Sequence, residues 1–177
     1  MHNGITVVDN FFDNFHNIKD RFKEIPLYGL DEFIKLNSED PQKWPGKRSL
    51  DFYETEPFLF NLFLNEFHNK FDNFFNNKKF WCKSYAHLRL DEDNEKDFIH
   101  TDPIDYSLLV YVSETNLNSG TCFYDDKNNA TQTVNFVQNR AVLFPGYNKH
   151  CALNNHGINI DNGRLTLNAF FSVTGDN

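Results

Sequence analysis

The sequence lacks the features that would place it in several common classes of protein. Its three cysteines, Cys82, Cys122 and Cys151, are odd in number and widely spaced, which indicates reduced thiols rather than a disulfide framework or a CxxC zinc site. No apolar run approaches the roughly 20 residues that a membrane helix needs. The first residues lack the basic and apolar regions of a secretory signal. These absences predict a cytoplasmic protein without a membrane partner.

Positive charge is also scarce, because 17 Lys and Arg residues face 25 Asp and Glu residues and give a net charge of −8. A nucleic-acid partner is therefore not expected, since its phosphates would be repelled. No Gly-rich strand-to-helix turn occurs, which disfavours the nucleotide-binding folds that cradle phosphate. Phenylalanine, in contrast, is abundant at 20 residues against a single methionine. The bias toward Phe, Asn, Lys and Ile is typical of AT-rich coding, as in a phage or a reduced bacterial genome.

The length of 177 residues predicts one domain, 1–177, made of two parts that differ in texture. Residues 1–78 are predicted to be mostly helical and to support a β-structured core at 79–177. One helix is predicted where apolar residues recur at helical spacing, with Asp9 or Asn10 as its N-cap. A second helix is predicted to begin near Pro57, which suits the first helical position. The first apolar stripe consists of Phe11, Phe15, Ile18 and Phe22.

After residue 78 the sequence changes to short β-branched or aromatic runs separated by turn residues. About eight short strands at hairpin spacing predict an antiparallel sandwich or barrel of the jelly-roll type, flanked by the helices. Turns are predicted at 118–120, 126–128, 145–146 and 161–163. The predicted strands are 80–90, 98–100, 106–113, 121–124, 131–136, 141–144, 149–153 and 165–173.

The most informative local pattern is His100-Thr101-Asp102, followed much later by His150. In a strand, residues i and i+2 point to the same side, so His100 and Asp102 can present an imidazole and a carboxylate together. A third ligand from a distant strand would complete a set of two histidines and one carboxylate. Such a set leaves one side of an octahedral metal open and suits non-haem Fe(II). An HxD pair alone is weak support, since the pair can equally lie on a surface or in a loop.

The segment from 98 to 171 resembles the core of the Fe(II)- and 2-oxoglutarate-dependent dioxygenases, particularly their prolyl-hydroxylase-like branch. His100 and Asp102 stand where that family has its HxD motif, just ahead of a strand. Ser119 replaces the first glycine of a turn that is otherwise similar to the family's Gly-Gly-Thr turn. Looser similarity to small phage and bacterial oxygenases of this kind extends to 7–12 and 44–49. The remaining similar segments are the strand and turn before the distal histidine, 139–150, and the final strand, 163–171.

The resemblance implies a double-stranded β-helix, a cupin-like jelly roll, that binds Fe(II) and uses 2-oxoglutarate and O2, with ascorbate as an accessory reductant. It implies that His100, Asp102 and His150 hold the metal. It further implies that Arg164 grips the distal carboxylate of 2-oxoglutarate through a planar guanidinium. Tyr111 stands where the family has a tyrosine that binds the co-substrate; otherwise it is a core aromatic residue. Asn168 shares a strand face with Arg164 and either contacts the co-substrate or is a tolerated polar residue.

Three features leave alternatives open. The gap between His150 and Arg164 is longer than is common in the family, so His156 is a rival for the distal ligand. His87 and Arg89 share one strand face before the HxD motif and are predicted to be surface or packed residues rather than part of a substrate site. The acidic run at 91–97 is predicted to be a solvated loop, although its position would favour a cationic substrate.

The predicted function is hydroxylation of an unidentified substrate, with release of succinate and CO2. The resemblance suggests a peptidyl or free amino-acid side chain, such as proline, within a small-molecule, peptide or protein substrate. Two alternatives remain: a cupin-like metalloenzyme that does not use 2-oxoglutarate, and a non-enzymatic binding or virion-associated module on the same fold. The sequence gives no indication of the oligomeric state.

Overall fold

The computed structural model describes residues 4–36, 44–71, 74–75, 78–93 and 98–174. Within these residues there are four helices and nine strands. The helices are α1 (Phe15–Lys23), α2 (Leu30–Leu36), α3 (Phe52–Thr55) and α4 (Pro57–Lys70). The strands are β1 (Thr6–Val8), β2 (Lys47–Arg48), β3 (Phe80–Arg89), β4 (Tyr106–Tyr111), β5 (Asn116–Tyr124), β6 (Ala130–Phe136), β7 (Ala141–Pro145), β8 (His150–Leu153) and β9 (Arg164–Val173).

The strands form two antiparallel sheets. The larger sheet has the order β1-β7-β4-β9-β3-β2, and the smaller has the order β6-β5-β8. An isolated bridge between His100 and His150 extends the smaller sheet beyond β8. Neighbours in both sheets are mostly distant in sequence, as in a jelly roll rather than a meander. The predicted class, mainly β with flanking helices around a double-stranded β-helix, is confirmed.

The two faces of the larger sheet carry different kinds of residue, because successive side chains of a strand point to opposite sides. On β9, Leu167, Ala169 and Phe171 belong to the core that the sheet shares with the helices. The alternate residues Asn168 and Phe170 face the smaller sheet and line a cavity between the two sheets. The phenylalanines of the first half therefore fill the outer core, as the helical stripes predict. Those buried in this core are Phe11, Phe12, Phe15, Phe22, Phe52, Phe60, Phe63, Phe67, Phe71 and Phe75.

The helices differ from the predicted ones at their starts. Helix α1 begins at Phe15 with Asn14 as its N-cap, so the prediction of Asp9 or Asn10 is wrong. Asn10 has a φ of 54°, and the next residue, Phe11, donates its backbone N–H to the Asn139 carbonyl at 2.9 Å. This contact holds the segment against the turn before β7, and the helix begins only beyond it. Helix α4 does begin with proline, as predicted.

Four short elements were not predicted, and one predicted turn is wrong. No sequence pattern indicated β1, β2, α2 or α3. The predicted turn at 118–120 lies inside β5, which runs from Asn116 to Tyr124. At Gly120, with a φ of 155°, a Cβ would lie 2.1 Å from the Val134 carbonyl oxygen, so the strand passes its neighbour β6 with a bulge there. Of the predicted strand 98–100, only the bridge at His100 is present.

The structure also bears on three broader expectations. Cys82, Cys122 and Cys151 are free thiols, as predicted. None of the helices in the described part of the chain is long and apolar enough to cross a bilayer. Residues 94–97 of the acidic run lie outside the described residues. The part of that run that is described forms a turn, where the Asp93 carboxylate accepts a hydrogen bond from the Leu90 backbone N–H at 2.6 Å.

Candidate metal centre and active-site cavity

Three side chains from two distant segments of the chain converge at one end of the cavity. His100 Nε2 lies 3.8 Å from Asp102 Oδ1, and His150 Nε2 lies 3.6 Å from Asp102 Oδ2. Among the described residues, these three form a group whose donor atoms all lie within 4.8 Å of one another. The structure thus brings together the three residues that the sequence analysis singled out as metal ligands.

Backbone hydrogen bonds fix this convergence. The backbones of His100 and His150 exchange two hydrogen bonds, of 3.0 Å and 2.9 Å. Asp102 donates its N–H to the Gly146 carbonyl at 2.8 Å. A Cβ on residue 146 would lie 2.2 Å from the Ile104 carbonyl oxygen and 2.8 Å from that of Asp102, so only glycine fits. The Pro145-Gly146 turn therefore holds the HxD segment against the strand of the distal histidine.

Hydrogen bonds to the far side of each ligand orient the donor atoms. His100 Nδ1 lies 2.8 Å from the Phe98 carbonyl oxygen, and His150 Nδ1 lies 2.9 Å from that of Asn148. Since a carbonyl oxygen only accepts, each Nδ1 donates this hydrogen bond, and a neutral ring in this tautomer presents its Nε2 lone pair to the shared space. Ser107 Oγ donates to Asp102 Oδ2 at 2.5 Å and so fixes the carboxylate.

This donor set fits a divalent iron ion. Two neutral imidazoles and one carboxylate on one side are the facial set typical of non-haem Fe(II). Donors on adjacent corners of an octahedron, each about 2.1 Å from a metal, lie about 3 Å apart. The observed separations of 3.8 Å and 3.6 Å exceed this by less than an ångström. All three donors lie within 4.8 Å of one another, so side-chain rotation would be needed to bring them to one ion.

The three residues open into a cavity of about 870 Å³ between the two sheets. Its volume lies within the range of roughly 300–1,000 Å³ that is typical of small-molecule sites. Arg164 and Thr121 line it on one side, and the exposed aromatic residues Tyr53, Trp81 and Phe98 also belong to its wall. The space therefore has room for more than a co-substrate the size of 2-oxoglutarate.

Arg164 is buried in the cavity wall at the start of β9. Its Nη2 donates to the Gly120 carbonyl at 3.1 Å, and its guanidinium carbon lies 5.6 Å from the centre of the Phe136 ring. Beside it, the Tyr111 hydroxyl donates to Thr121 Oγ1 at 2.8 Å. Burial raises the pKa of Tyr111, partly offset by the nearby Arg164, so the phenol keeps its proton.

The roles predicted for these residues fit their positions to different degrees. Tyr111 is fully buried and reaches the cavity only through Thr121, a contact that sequence analysis missed. Asn168 lies on the inner face, as predicted, and its Oδ1 accepts a hydrogen bond from Thr166 Oγ1 at 2.7 Å. Contact of Arg164, Tyr111 or Asn168 with a co-substrate stays a prediction.

His156, the rival distal ligand, lies away from the other two ligands. Its ring packs against Phe136 with centroids 5.3 Å apart. Burial, together with the nearby Arg164, lowers its pKa. It is therefore close to the arginine end of the cavity, whereas His150 lies beside His100 and Asp102. The structure favours His150 as the third member of the group.

The inner face of β3 supplies a wall that sequence analysis assigned to the surface or to packing. His87 and Arg89 are buried and line the cavity, together with Tyr85 on the same strand and Arg48 on β2. His87 Nε2 lies 2.7 Å from the Pro45 carbonyl oxygen. Burial lowers the pKa of His87 well below its usual value, and the positive charges of Arg48, Arg89 and Arg164 act in the same direction. This histidine is therefore neutral.

The alternation of residues 81–89 was the signal for this wall. Trp, Lys, Tyr, His and Arg occupy the odd positions, while Ser84, Ala86 and Leu88 occupy even ones. Such a pattern predicts one apolar face and one face of polar and aromatic residues. The pattern does not predict that β2 pairs with β3, which places Arg48 opposite His87.

Comparisons with known proteins match the fold but not the sequence. No family model matches the chain, and no curated protein matches it. Among solved structures, the chain is similar to the non-haem alpha-ketoglutarate-dependent epimerase SnoN from nogalamycin biosynthesis. The TM-score is 0.65 at 12% identity, over 96% of this chain and 78% of that protein.

Two other structures give the same result. An oxidoreductase of the 2OG-Fe(II) oxygenase family from Burkholderia pseudomallei matches with a TM-score of 0.63 at 10% identity, over 97% of this chain and 85% of that protein. A Pseudomonas putida prolyl-4-hydroxylase matches with a TM-score of 0.57 at 10% identity, over 97% and 94%. The chain therefore has the fold of the 2-oxoglutarate-dependent oxygenases, which confirms the fold that the resemblance implied.

Proposed function

We propose that this protein is an Fe(II)- and 2-oxoglutarate-dependent oxygenase. The observation that carries the proposal is the convergence of His100, Asp102 and His150 at the cavity that also contains the buried Arg164. A metal-binding group alone suits many metalloproteins. A metal-binding group that shares one cavity with a buried guanidinium suits a co-substrate that chelates the metal at one end and carries a carboxylate at the other.

The side chains have distinct tasks in this proposal. His100, Asp102 and His150 hold Fe(II), and Ser107 keeps the Asp102 carboxylate in place. Arg164 binds the distal carboxylate of 2-oxoglutarate, and its low exposure of 4% strengthens that ion pair because little water competes for it. Thr121 lines the cavity beside this carboxylate and donates its hydroxyl proton to it, because the Tyr111 hydroxyl donates to Thr121 Oγ1 and so leaves the Thr121 proton to point into the cavity.

Bound iron and 2-oxoglutarate supply oxidative chemistry, in which O2 oxidises 2-oxoglutarate to succinate and CO2 and hydroxylates a substrate C–H bond. Among the similar structures, one is a prolyl-4-hydroxylase and another is an epimerase. Hydroxylation of a peptidyl or free amino-acid side chain, such as proline, is the first reaction to test. Ascorbate is a candidate reductant for this reaction.

Anaerobic titration with Fe(II) and 2-oxoglutarate tests the proposal directly. The wild type is expected to develop the weak visible charge-transfer band of the chelated metal. His100→Ala is expected to lose this band, whereas His16→Ala, on the exposed side of α1, is expected to retain it. The absence of a band in the wild type, or an undiminished band in His100→Ala, would show that the proposed function is wrong.

A second variant separates the proposal from a cupin-like metalloenzyme that does not use 2-oxoglutarate. Truncating one partner of a buried charge pair costs about 2–5 kcal/mol. Arg164→Ala is therefore expected to weaken 2-oxoglutarate binding at least tenfold while the protein still binds the metal. A cupin-like enzyme would show no such dependence on Arg164, and a non-enzymatic module would bind neither iron nor 2-oxoglutarate.

A further inference from the structure

Positive side chains are concentrated on one wall of the cavity, although the chain as a whole has a net charge of −8. Arg48, Lys83 and Arg89 line this wall in addition to Arg164. Lys83 and Arg89 belong to the inner face of β3, and Arg48 lies beside that strand on β2. A wall of this kind raises the local concentration of anions and disfavours cations.

The acidic residues that line the same cavity only partly balance this charge. Apart from the metal-binding Asp102, the described lining contains two carboxylates, those of Asp51 and Glu54. The Asp51 carboxylate caps α3 by accepting the Tyr53 backbone N–H at 3.1 Å, and it also accepts that of Ser84 at 3.4 Å. These two hydrogen bonds give the Asp51 carboxylate a structural role as a helix cap.

Arg48 is held in one orientation by two aromatic rings. Its guanidinium carbon lies 4.3 Å from the centre of the Trp44 ring and 4.8 Å from that of Tyr85. Cation–π contacts of this kind restrain the side chain through the aromatic rings, and the planar guanidinium presents its N–H groups as a fork that matches a carboxylate or a phosphate. An arginine oriented in advance loses little side-chain entropy when its planar edge binds a carboxylate or a phosphate.

Tyr85 connects this arginine with the metal centre. Its ring lies 4.8 Å from the Arg48 guanidinium carbon, and Tyr85 lines the same cavity as Asp102. The ring also packs 5.6 Å from that of Phe170, on the adjacent inner strand. A molecule bound to Arg48 can therefore extend along Tyr85 toward the metal. Arg164 is separate, because it lies four positions along β9 from Asn168, the residue opposite Tyr85.

We propose that the substrate carries an anionic group, a carboxylate or a phosphate, that binds to Arg48. This inference rests on the proposed function and identifies the chemical class of the substrate. Lys83 adds a second positive charge on the same strand face, and Trp44 and Tyr85 keep the guanidinium in place. The acidic run at 91–97 suggested a cationic substrate. The lining of the cavity instead has more positive than negative side chains, which favours an anionic substrate.

Matched pairs of small molecules test the proposal on the anaerobic protein saturated with Fe(II) and 2-oxoglutarate. One pair is N-acetyl-L-proline and N-acetyl-L-prolinamide, and the other is glycerol 3-phosphate and glycerol. Trp44, which contacts Arg48, and Trp81, which lines the cavity, make intrinsic fluorescence a suitable signal. In at least one pair the anion is expected to bind about tenfold or more tightly than its neutral partner. The pair in which the anion binds more tightly shows whether the site prefers a carboxylate or a phosphate.

Three variants assign the effect to Arg48. Arg48→Gln is expected to remove the preference for the anion, and Arg48→Lys is expected to restore it only in part, because lysine lacks the planar fork. Lys47→Gln removes the same charge from the adjacent residue of β2, which is exposed and pairs with Leu88 on the other face of the sheet. It is expected to keep the wild-type preference.

The outcomes separate this inference from the proposed function. The charge-transfer band reports the iron and 2-oxoglutarate complex independently of the probes, and Arg48→Gln is expected to form it. If the band forms but neither anion binds at tens of millimolar, or both neutral partners bind equally well, the inference is wrong. Equal anion preference in Arg48→Gln and wild type would also overturn it. If the wild type forms no band, the proposed function itself fails.

Discussion

The two faces of the larger sheet are built from the same strands but perform different tasks. On β9, Phe171 is fully buried in the outer core, where its ring lies 4.6 Å from that of Phe67. Its neighbour Phe170 faces the cavity beside Tyr85. On β3, Ala86 and Leu88 face the helices, while His87 and Arg89 face the cavity.

This difference shows how one strand can stabilise the fold with one face and line a candidate site with the other. The outer face stabilises the fold by burying apolar area. This stabilisation tolerates exchanges between apolar side chains of similar volume. The inner face keeps arginines, a histidine and carboxylates in low-dielectric surroundings, where each group depends on its neighbours. Substitutions on the outer face should therefore alter stability, and substitutions on the inner face should alter ligand binding.

The largest expected effect comes from comparing the two adjacent phenylalanines of β9. Phe171→Ala should lower the free energy of unfolding by about 3–5 kcal/mol, because it removes a ring that packs against several others. Phe170→Ala should cost at most about 2 kcal/mol, since its ring is partly exposed to the cavity. Urea unfolding of the two variants, followed by circular dichroism, measures both values. Equal losses would show that the two faces do not divide these tasks.

A smaller effect is expected where the inner face supports the metal centre. Ser107 Oγ donates to Asp102 Oδ2, so Ser107→Ala should weaken Fe(II) binding about 10- to 100-fold, as is typical when a partner of a metal ligand is removed. Competition with a colorimetric chelator under anaerobic conditions measures this affinity.

Ser84→Ala provides the matched control for Ser107. Ser84 is equally buried but lies on the helix side of β3, where its hydroxyl has no hydrogen-bond partner among the described residues. Its replacement should leave the affinity for Fe(II) within about twofold of the wild type. If Ser84→Ala lowered the affinity for Fe(II) as much as Ser107→Ala, the loss would reflect a general loosening of the sheet.

The sequence predicted most of the fold in the second half of the chain, because its strands are bounded by turn residues and rich in β-branched and aromatic residues. It failed where tertiary contacts decide the structure. Strand β2 has two residues and depends on its pairing with β3, and Gly120 marks a bulge rather than a turn. Phe11 belongs to the predicted apolar stripe and is buried, yet it lies before α1, since its backbone binds that of Asn139.

The candidate site was predictable only in part for the same reason. The resemblance identified His100, Asp102 and His150 because these residues belong to recognisable motifs. It did not identify Ser107 or Arg48, whose significance depends on which strands become neighbours. Local sequence patterns indicate which face of a strand a side chain occupies, but they do not indicate what lies opposite that face.

The smallest expected effect concerns His87, which is buried in the cavity wall that also contains Arg48 and Arg89. The pKa of His87 is well below the ordinary value of 6.5 because of burial and the nearby arginines. The unfolded chain therefore takes up a proton as the pH falls through about 6.5, while the folded protein does not. The contribution of His87 to the free energy of unfolding should consequently be constant above this pH and should decrease below it.

Replacing this residue with glutamine, which can still donate to the Pro45 carbonyl, tests the argument without removing the hydrogen bond. His87→Gln should flatten the decrease below about pH 6.5 by up to about 1.4 kcal/mol per pH unit, the value for one proton. The pKa of His156 is also lowered, so a smaller decrease should remain and should diminish further in the double variant. Urea unfolding of the metal-free protein from about pH 8 to about pH 5 measures these slopes. Parallel curves for His87→Gln and wild type would mean that the inner face accommodates a charged histidine beside three arginines, and the electrostatic contrast between the two faces would then be wrong.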